Sequence, residues 1–363
     1  MKRWLVAGGL CLVAACAPVP EVSFHEAGDY PEHLSEWGVV VKRGDRLALG
    51  SGVLPYDINT PLFSDYALKL RTIWLPDGTT GRYADFEAFD LPTGTILSKS
   101  FFYPMRQGVA YAAHDWDGDV GALDLDQVRL IETRLLVKQA HGWDALPYIW
   151  HGDDAILTIT GDLQTFDLND GGSSIALTYI VPTRNECAAC HATNHTTGAL
   201  HPIGIKTRHL NRGYHGSPAN QLVTWQEVGW LEGLPSPAAW SQNADWQDST
   251  ESVTHLARSY LDANCGHCHN PEGAADTSGL WLDYQDHPRR QIGECKPPIA
   301  AGGGTGGRLY SIVPGMPDAS ILVFRMAETN PSTRMPEIGR TLVHRRGLDV
   351  VTRWVASLDG VCL

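Results

Sequence analysis

Two copies of the pattern Cys-x-x-Cys-His constrain this chain more than any other feature of its sequence. They are Cys187-Ala188-Ala189-Cys190-His191 and Cys265-Gly266-His267-Cys268-His269. Two thiols three residues apart reach the two vinyl groups of one haem, and the next histidine is then directed at the iron. Each copy therefore predicts one covalently bound haem c group. The expected attachment residues are Cys187, Cys190, Cys265 and Cys268, and the expected proximal iron ligands are His191 and His269.

Paired cysteines also occur in zinc sites and in thiol redox sites. A zinc ribbon places its two pairs about 15–20 residues apart, whereas these pairs lie much farther apart and each is followed by histidine. A thioredoxin-like pair opens a helix in a strand-helix-strand unit, which neither flanking sequence resembles. Both alternatives are therefore disfavoured relative to haem.

The first sixteen residues predict export from the cytoplasm. Two basic residues precede an apolar run over residues 4–15 that ends in small residues, as in secretory signal peptides. The run is too short to span a bilayer as a helix of the mature chain. Residues 13–16 resemble the lipobox of bacterial lipoproteins, so we expect Cys16 to be lipidated; a plain signal peptide cleaved nearby is the alternative. Both predict a location in the bacterial cell envelope, facing the periplasm or displayed on the cell surface.

The charge of the chain disfavours nucleic acid as a ligand. Aspartate and glutamate number 41 against 28 lysines and arginines, so the formal net charge is −13. A polyanion would be repelled, and no basic stripe with interleaved aromatic residues is present in the sequence. The expected partners are redox partner proteins, together with the membrane that the lipid anchor would reach.

Changes in composition predict four parts and an α+β fold. Residues 1–16 are the expected lipoprotein signal peptide. Residues 17–182 consist of short alternating segments broken by Gly, Pro and Asp, which is typical of a β-rich domain. Residues 183–248 are the expected first haem-binding segment. Residues 249–363 are the expected second haem domain, helical and similar to cytochrome c.

Periodicity places individual elements within these parts. Strands are predicted over residues 129–137, 155–160 and 174–180. Helices are predicted over residues 221–231, 253–263 and 347–358. A stretch rich in Pro, Ser, Asp and Asn over residues 236–249 is typical of a linker.

The sixth ligand of the second haem is expected to be a methionine. Met335 lies in a polar, Gly- and Pro-bearing stretch well after His269, where a mono-haem cytochrome c places its distal ligand. Met326 occupies an apolar helix position, so core packing explains it better. Met316 lies in a turn and is the weaker rival of Met335.

The sequence does not decide the sixth ligand of the first haem. Four histidines follow the first motif closely, and one methionine of the β-rich domain is available: His195, His201, His209, His215 and Met105. Of these, His209 and Met105 are the distal candidates carried forward. An open iron without a sixth protein ligand also remains an alternative.

Two cysteines remain after the motifs and the leader are set aside. Cys295 and Cys362 are expected to pair, because the exported chain would fold in an oxidising compartment. Such a disulfide would join the carboxyl-terminal helix to the second haem domain.

Several further blocks accompany the haem motifs. They are residues 56–67 (YDINTPLFSDYA), 181–187 (VPTRNEC), 202–206 (PIGIK), 264–269 (NCGHCH) and 334–340 (RMPEIGR). Taken together, the chain resembles a bacterial family of two-haem c-type cytochromes of the cell envelope that has an amino-terminal β-rich domain and no assigned physiological role. The resemblance implies haem binding and electron transfer at the envelope, and it implies no substrate.

Electron transfer is the function that the sequence predicts. Each iron would cycle between two oxidation states, and axial ligands and burial would tune its potential, so no catalytic residue is required. The alternative is a haem oxidoreductase of the peroxidase or oxidase type, with an open first haem and a substrate pocket shaped by the β-rich domain. A haem-stabilised binding module is a third possibility.

Overall fold

Short alternating segments of the amino-terminal half form strands, and the carboxyl-terminal half contains most of the helices, joined by long irregular segments. The computed structural model describes residues 18–116, 118–299 and 301–363. The predicted signal peptide, including Cys16, lies outside the described residues. No helix within these residues has the length and apolar character needed to cross a membrane.

The strands occupy the first half of the chain, with one exception. They are β1 (Val40–Arg43), β2 (Arg46–Leu49), β3 (Leu54–Tyr56), β4 (Leu68–Trp74), β5 (Gly81–Arg82), β6 (Ile96–Arg106), β7 (Val109–Tyr111), β8 (Val128–Gln139), β9 (Gly142–His151), β10 (Asp154–Leu157), β11 (Asp162–Asp170), β12 (Ser173–Val181) and β13 (Leu231–Glu232). The helices are α1 (Arg184–His191), α2 (Thr207–Leu210), α3 (Gln221–Glu227), α4 (Val253–Leu261), α5 (Arg289–Ile292), α6 (Ile321–Ala327) and α7 (Arg345–Ser357). The predicted α+β class is confirmed.

One large curled sheet dominates the β-rich part. Its antiparallel centre runs β10-β9-β8-β6, with β4 on the other edge of β6 and β3 next to β4. The long strand β6 also pairs with β7 at its end, and β7 continues through a parallel pairing with β11 to β12. A bulge between Phe101 and Phe102 marks the change in register along β6.

Successive side chains of a strand point to opposite sides of a sheet. Both sides of this sheet are covered by other parts of the chain. Leu70 and Leu135 pack on one face with Leu34 and Trp37, which lie in a short helical turn near the amino terminus. The other face is covered by the segment that follows the sheet. Its residues Leu210, Leu222 and Trp225 belong to the same apolar cluster as Tyr56, Ile73 and Leu97 of the sheet.

The carboxyl-terminal part forms its own apolar cluster around α4, α6 and α7. Helices α4 and α7 pass so closely that a Cβ atom on Gly347 would lie 2.4 Å from the Tyr260 ring, so glycine is required there. Cys295 and Cys362 form a disulfide, which confirms the predicted pair.

The segment over residues 236–249, which its composition predicts to be a linker, is mostly exposed but packs against neighbouring residues at its centre. Asn243, Ala244 and Trp246 are buried. The Thr60 hydroxyl donates to the Ala244 carbonyl at 2.8 Å, and the Trp246 amide donates to the Asn59 carbonyl at 3.0 Å. These contacts use backbone groups of the segment, so its composition does not predict them.

Candidate haem-binding site

The first Cys-x-x-Cys-His motif is the second half of helix α1. The Thr183 hydroxyl accepts from the Glu186 amide at 3.1 Å, and the Glu186 carboxylate accepts from the Thr183 amide at 2.8 Å. This reciprocal cap starts the helix immediately after β12, so the motif cysteines lie in a fixed helical conformation. Arg184 donates to Asp144 of β9 at 2.8 Å, which holds the helix against the sheet.

His191 has its ring oriented by the chain itself. Its Nδ1 atom lies 2.8 Å from the His201 carbonyl oxygen, and the His201 amide donates to the His191 carbonyl at 2.8 Å. A histidine that donates from Nδ1 to a backbone carbonyl keeps Nε2 available as a metal ligand. Burial and the nearby Lys99 lower the pKa of His191 to about 3, so its imidazole is neutral.

The second motif follows α4 through a π-helical turn over Asp262–Gly266. The Asn264 side chain accepts from the Phe63 amide at 2.8 Å and donates to the Pro61 carbonyl at 3.0 Å. These bonds hold the motif against the loop between β3 and β4. His269 places Nδ1 at 3.3 Å from the Ser278 hydroxyl, and burial lowers the pKa of His269 to about 4.

The two motifs lie side by side. The Cys268 thiol donates to the carbonyl of Ala189, inside the first motif, at 3.4 Å. The loops that follow the motifs are also joined, because Asn194 donates to the Glu272 carboxylate at 2.9 Å and the His195 amide donates to the Glu272 carbonyl at 2.9 Å. Residues far apart in the sequence are therefore in direct contact here.

A cavity of about 330 Å³ borders both motifs. It lies between the sheet, α1 and the segment that follows the sheet, and most of its surface is apolar. Its lining includes three residues of the first motif and one of the second: Cys187, Cys190, His191 and His267. A volume of this size is within the range of pockets that bind small molecules and cofactors.

Three cations form a row across the floor of this cavity. Arg71 of β4 is opposite Lys99 of β6, and Lys99 is opposite Arg134 of β8. Arg134 is paired with Glu132 at 2.5 Å, and Arg71 with Asp57 at 3.2 Å.

Lys99 is the least compensated member of this cationic row. Burial lowers the pKa of Lys99 to about 7, and the charges of Arg134 and Arg71 act in the same direction. Because adjacent like charges destabilise one another, an anionic group bound at this row would be favoured.

Met335 lies next to the second motif. It lines a small pocket together with Cys265, and its amide donates to the Arg325 carbonyl at 2.9 Å. Met326 lines the same pocket and is buried in the carboxyl-terminal core, which confirms that it packs there. Met316 is 58% exposed and is not among the lining residues, so Met335 remains the better placed of the two.

The distal candidates for the first haem differ in their placement. His209 lines the cavity that borders both motifs. Its Nδ1 is 3.3 Å from the Asn243 side-chain amide, however, and its Nε2 is 3.4 Å from the Asp262 carboxylate. Met105, on β6, packs against a different apolar cluster and does not line the cavity. Neither side chain is poised to bind a metal, and both stay predictions.

The remaining histidine candidates are also engaged elsewhere or exposed. His195 has Nδ1 at 3.0 Å from the Glu272 carbonyl and Nε2 at 3.8 Å from Asp276. The His201 side chain is exposed, and His215 lines a second cavity instead.

His267 was missed at the sequence level, because it occupies a spacer position of the second motif. The structure places His267 in the wall of the cavity that borders both motifs. Its Nδ1 atom is buried and has no hydrogen-bond partner within the described residues. Burial lowers the pKa of His267 to about 4, so this imidazole is neutral.

The thiols of both motifs are unlike those of redox-active cysteine pairs. Burial raises the pKa of Cys187 and Cys190 above the usual thiol value, and that of Cys265 and Cys268 to about 12. Reactive cysteines instead have a lowered pKa. The arrangement therefore disfavours thiol exchange chemistry.

A second cavity of about 470 Å³ lies beyond the wall made by Leu62 and Phe63, which line both cavities. The Phe63 ring stacks on His344, with ring centroids 4.4 Å apart. Its lining contains the basic residues Lys69, Arg71, Arg212 and Arg346 and the acidic residues Asp57 and Asp115.

Comparison of the chain with protein-family models, curated proteins and solved structures found no match. Among the described residues, no group of three or more His, Cys, Asp or Glu side chains is arranged to hold a single metal ion.

Proposed function

We propose that this protein is a two-haem c-type cytochrome that transfers electrons in the bacterial cell envelope. The observation that carries the proposal is the pair of complete Cys-x-x-Cys-His motifs in contact with one another. His191 is oriented through a backbone carbonyl so that Nε2 remains available, which is the arrangement an axial ligand needs. The resemblance to envelope cytochromes with two haems is in line with this proposal.

Six residues of the motifs would hold the two haem c groups. Cys187 and Cys190 would hold the first, and Cys265 and Cys268 the second. Each thiol adds across one vinyl group, its sulfur bonding to one carbon and its hydrogen to the other, so attachment needs no oxidant. His191 and His269 would be the proximal ligands, and Met335 would be the sixth ligand of the second haem.

The first cavity, which borders both motifs, suits a porphyrin chemically. Its apolar walls match an apolar ring, and the row of Arg71, Lys99 and Arg134 offers charge complements for propionate carboxylates. When bound, haem supplies an iron that changes oxidation state by one electron. The chain contributes ligation, burial and a fixed relation between the two sites.

The location and partners follow from the same proposal. Covalent haem attachment agrees with an exported chain, and lipidation of Cys16 would hold the protein at a membrane. The partners would be redox proteins of the envelope, which exchange electrons with it one at a time.

A visible spectrum of the mature full-length protein tests the proposal. Oxidised and reduced samples should show the haem c bands, and each of two double variants should lose half of the haem absorbance. The variants are Cys187→Ala/Cys190→Ala and Cys265→Ala/Cys268→Ala, and Cys295→Ala/Cys362→Ala is the matched control that should keep both haems. Unchanged absorbance in both test variants would contradict the proposal.

The second cavity favours one other function, a haem oxidoreductase that acts on an anionic substrate. The excess of basic over acidic residues in its lining and its shared wall with the haem cavity are the observations in favour. Peroxide consumption or substrate-dependent oxidation by the purified protein would support this function, and an inert, fully six-coordinate protein would exclude it.

A further inference from the structure

We infer that His267, in the second haem motif, is the sixth ligand of the iron of the first haem. This inference rests on the proposed two-haem function and adds to it the distal ligand that the sequence leaves undecided. It makes the first haem bis-histidine and closed to small ligands, which favours electron transfer over catalysis at that site.

The first argument is placement. His267 shares the first cavity with Cys187, Cys190 and His191, the residues that would hold the first haem. The contact between the Cys268 thiol and the Ala189 carbonyl brings the second motif against the first. His267 is therefore supplied to the first site by the neighbouring motif, although it is far from that site in sequence.

The second argument is an unsatisfied polar atom. Buried side-chain nitrogens nearly always have a hydrogen-bond partner, and an exception calls for an explanation such as a ligand or ion. Nδ1 of His267 is such an exception within the described residues. A coordination bond from Nδ1 of this imidazole to the iron would account for the missing partner.

The third argument is comparison with the rivals. His209 borders the same cavity, but binding a metal would cost it the contacts with Asn243 and Asp262. His191 is directed by His201 and serves as the proximal ligand. Among the described residues, His267 is the remaining histidine in the lining of that cavity.

The assignment has a consequence for the path of the electron. His267 and Cys268 are consecutive, so the ligand of one haem and the attachment point of the other are joined by a single peptide unit. Electrons would pass between the haems through covalent bonds without crossing solvent. Such a connection favours fast exchange between the two irons.

The test uses the full-length mature protein carrying both haems. His267→Ala should convert one of the two haems from low spin to high spin, seen by electron paramagnetic resonance of the oxidised protein. The reduced variant should bind one equivalent of carbon monoxide, whereas the unmodified protein binds none at the first haem. His151→Ala is the matched control, because His151 is exposed at the end of β9 and lines neither cavity.

A second variant keeps the test decisive if His267→Ala attaches haem poorly. His267→Met retains a ligand of similar size and should raise the potential of one haem, because thioether ligation raises the haem potential. It should also double the weak near-infrared absorption attributed to a single methionine-iron bond at Met335.

The outcomes separate this inference from the proposed function. A protein with two attached haems whose spin state and carbon monoxide binding are the same with and without His267 would overturn the ligand assignment alone. A mature protein with fewer than two attached haems would overturn the two-haem function itself. Loss of low spin in the His151→Ala control would also overturn the assignment.

Discussion

Asp262 provides a sharp test of how the two haem-motif segments are held together. Its buried carboxylate accepts from Arg208 Nε at 2.8 Å and Nη2 at 2.9 Å, from Asn243 at 2.9 Å and from the Tyr284 amide at 3.0 Å. Arg208 lies in the segment after the first motif, and Asp262 begins the turn that leads into the second. Asp262→Asn removes the charge with little change in volume.

The expected loss in the free energy of unfolding follows from the burial of this ion pair. Breaking a buried ion pair by removing one partner costs about 3–5 kcal/mol, because the other charge is left uncompensated. The amide of the variant still offers one acceptor oxygen, so we expect a loss near the lower end, about 3 kcal/mol. The exposed pair of Asp349 and Arg353, at 3.6 Å, is the matched control, and Asp349→Asn should cost less than about 0.5 kcal/mol.

The stabilisation contributed by Asp262 should change with pH in one direction. Burial opposes ionisation of Asp262, but Arg208 more than offsets it, so the pKa of this carboxyl is lowered in the folded chain. The stabilisation is therefore present above the unfolded carboxyl pKa of about 3.9 and is lost as the pH falls through the folded value. The difference between the unmodified protein and Asp262→Asn should shrink as the pH falls below about 4.

The assay is urea unfolding of the haem-loaded protein at neutral and acidic pH, followed by tryptophan fluorescence and by circular dichroism. Coincidence of the two transitions is needed before midpoints are converted to free energies. Equal small losses for Asp262→Asn and Asp349→Asn at neutral pH would refute the argument that this pair joins the segments.

Three further predictions concern single residues. Met335→Ala should abolish the near-infrared absorption due to the second haem, and Met335→His should lower the potential of that haem. Met326→Ala should leave the spectrum intact and lower the free energy of unfolding by about 2–5 kcal/mol through lost packing. An effect of Met316→Ala on ligation instead would contradict the Met335 assignment. Cys295→Ala should lower the free energy of unfolding by about 2–5 kcal/mol without releasing haem, as checked by urea unfolding. Cys16→Ser should move the protein from the membrane fraction to the soluble fraction or stall its processing, and unchanged fractionation would count against a lipid anchor.

Local patterns predicted the elements of this fold well. The strands predicted over residues 129–137 and 174–180 correspond to β8 and β12, and the helix predicted over 347–358 corresponds to α7. These segments have a strong period and are terminated by local signals, so neighbouring residues are enough to define them.

The ends of the helices were less predictable from the sequence. The helix predicted over 221–231 ends at Glu227, because Gly229 adopts a positive φ of 81° and Leu231 pairs in the short strand β13 with β5. The continuation of α4 as a π-helical turn likewise depends on packing around Asp262 rather than on local propensity.

The arrangement of the site was the least predictable feature. Each motif is recognisable alone, but their contact depends on interactions between Asn264 and the loop at Pro61, and between Glu272 and Asn194, which are far apart in sequence. His267 has no distinguishing sequence signal, because spacer positions of the motif accept many residues. The cationic row of Arg71, Lys99 and Arg134 emerges only when three strands are aligned in register.

The intact mass of the mature chain tests the central claim most directly. Because thiols add to vinyl groups without loss of atoms, the protein should be heavier than its polypeptide by two haem groups, in addition to the lipid expected on Cys16. Peptide mapping should then find one haem on Cys187 and Cys190 and the other on Cys265 and Cys268. In protein from a host that attaches haem c, a mass that accounts for no haem or for only one, once the lipid on Cys16 is subtracted, would contradict the account.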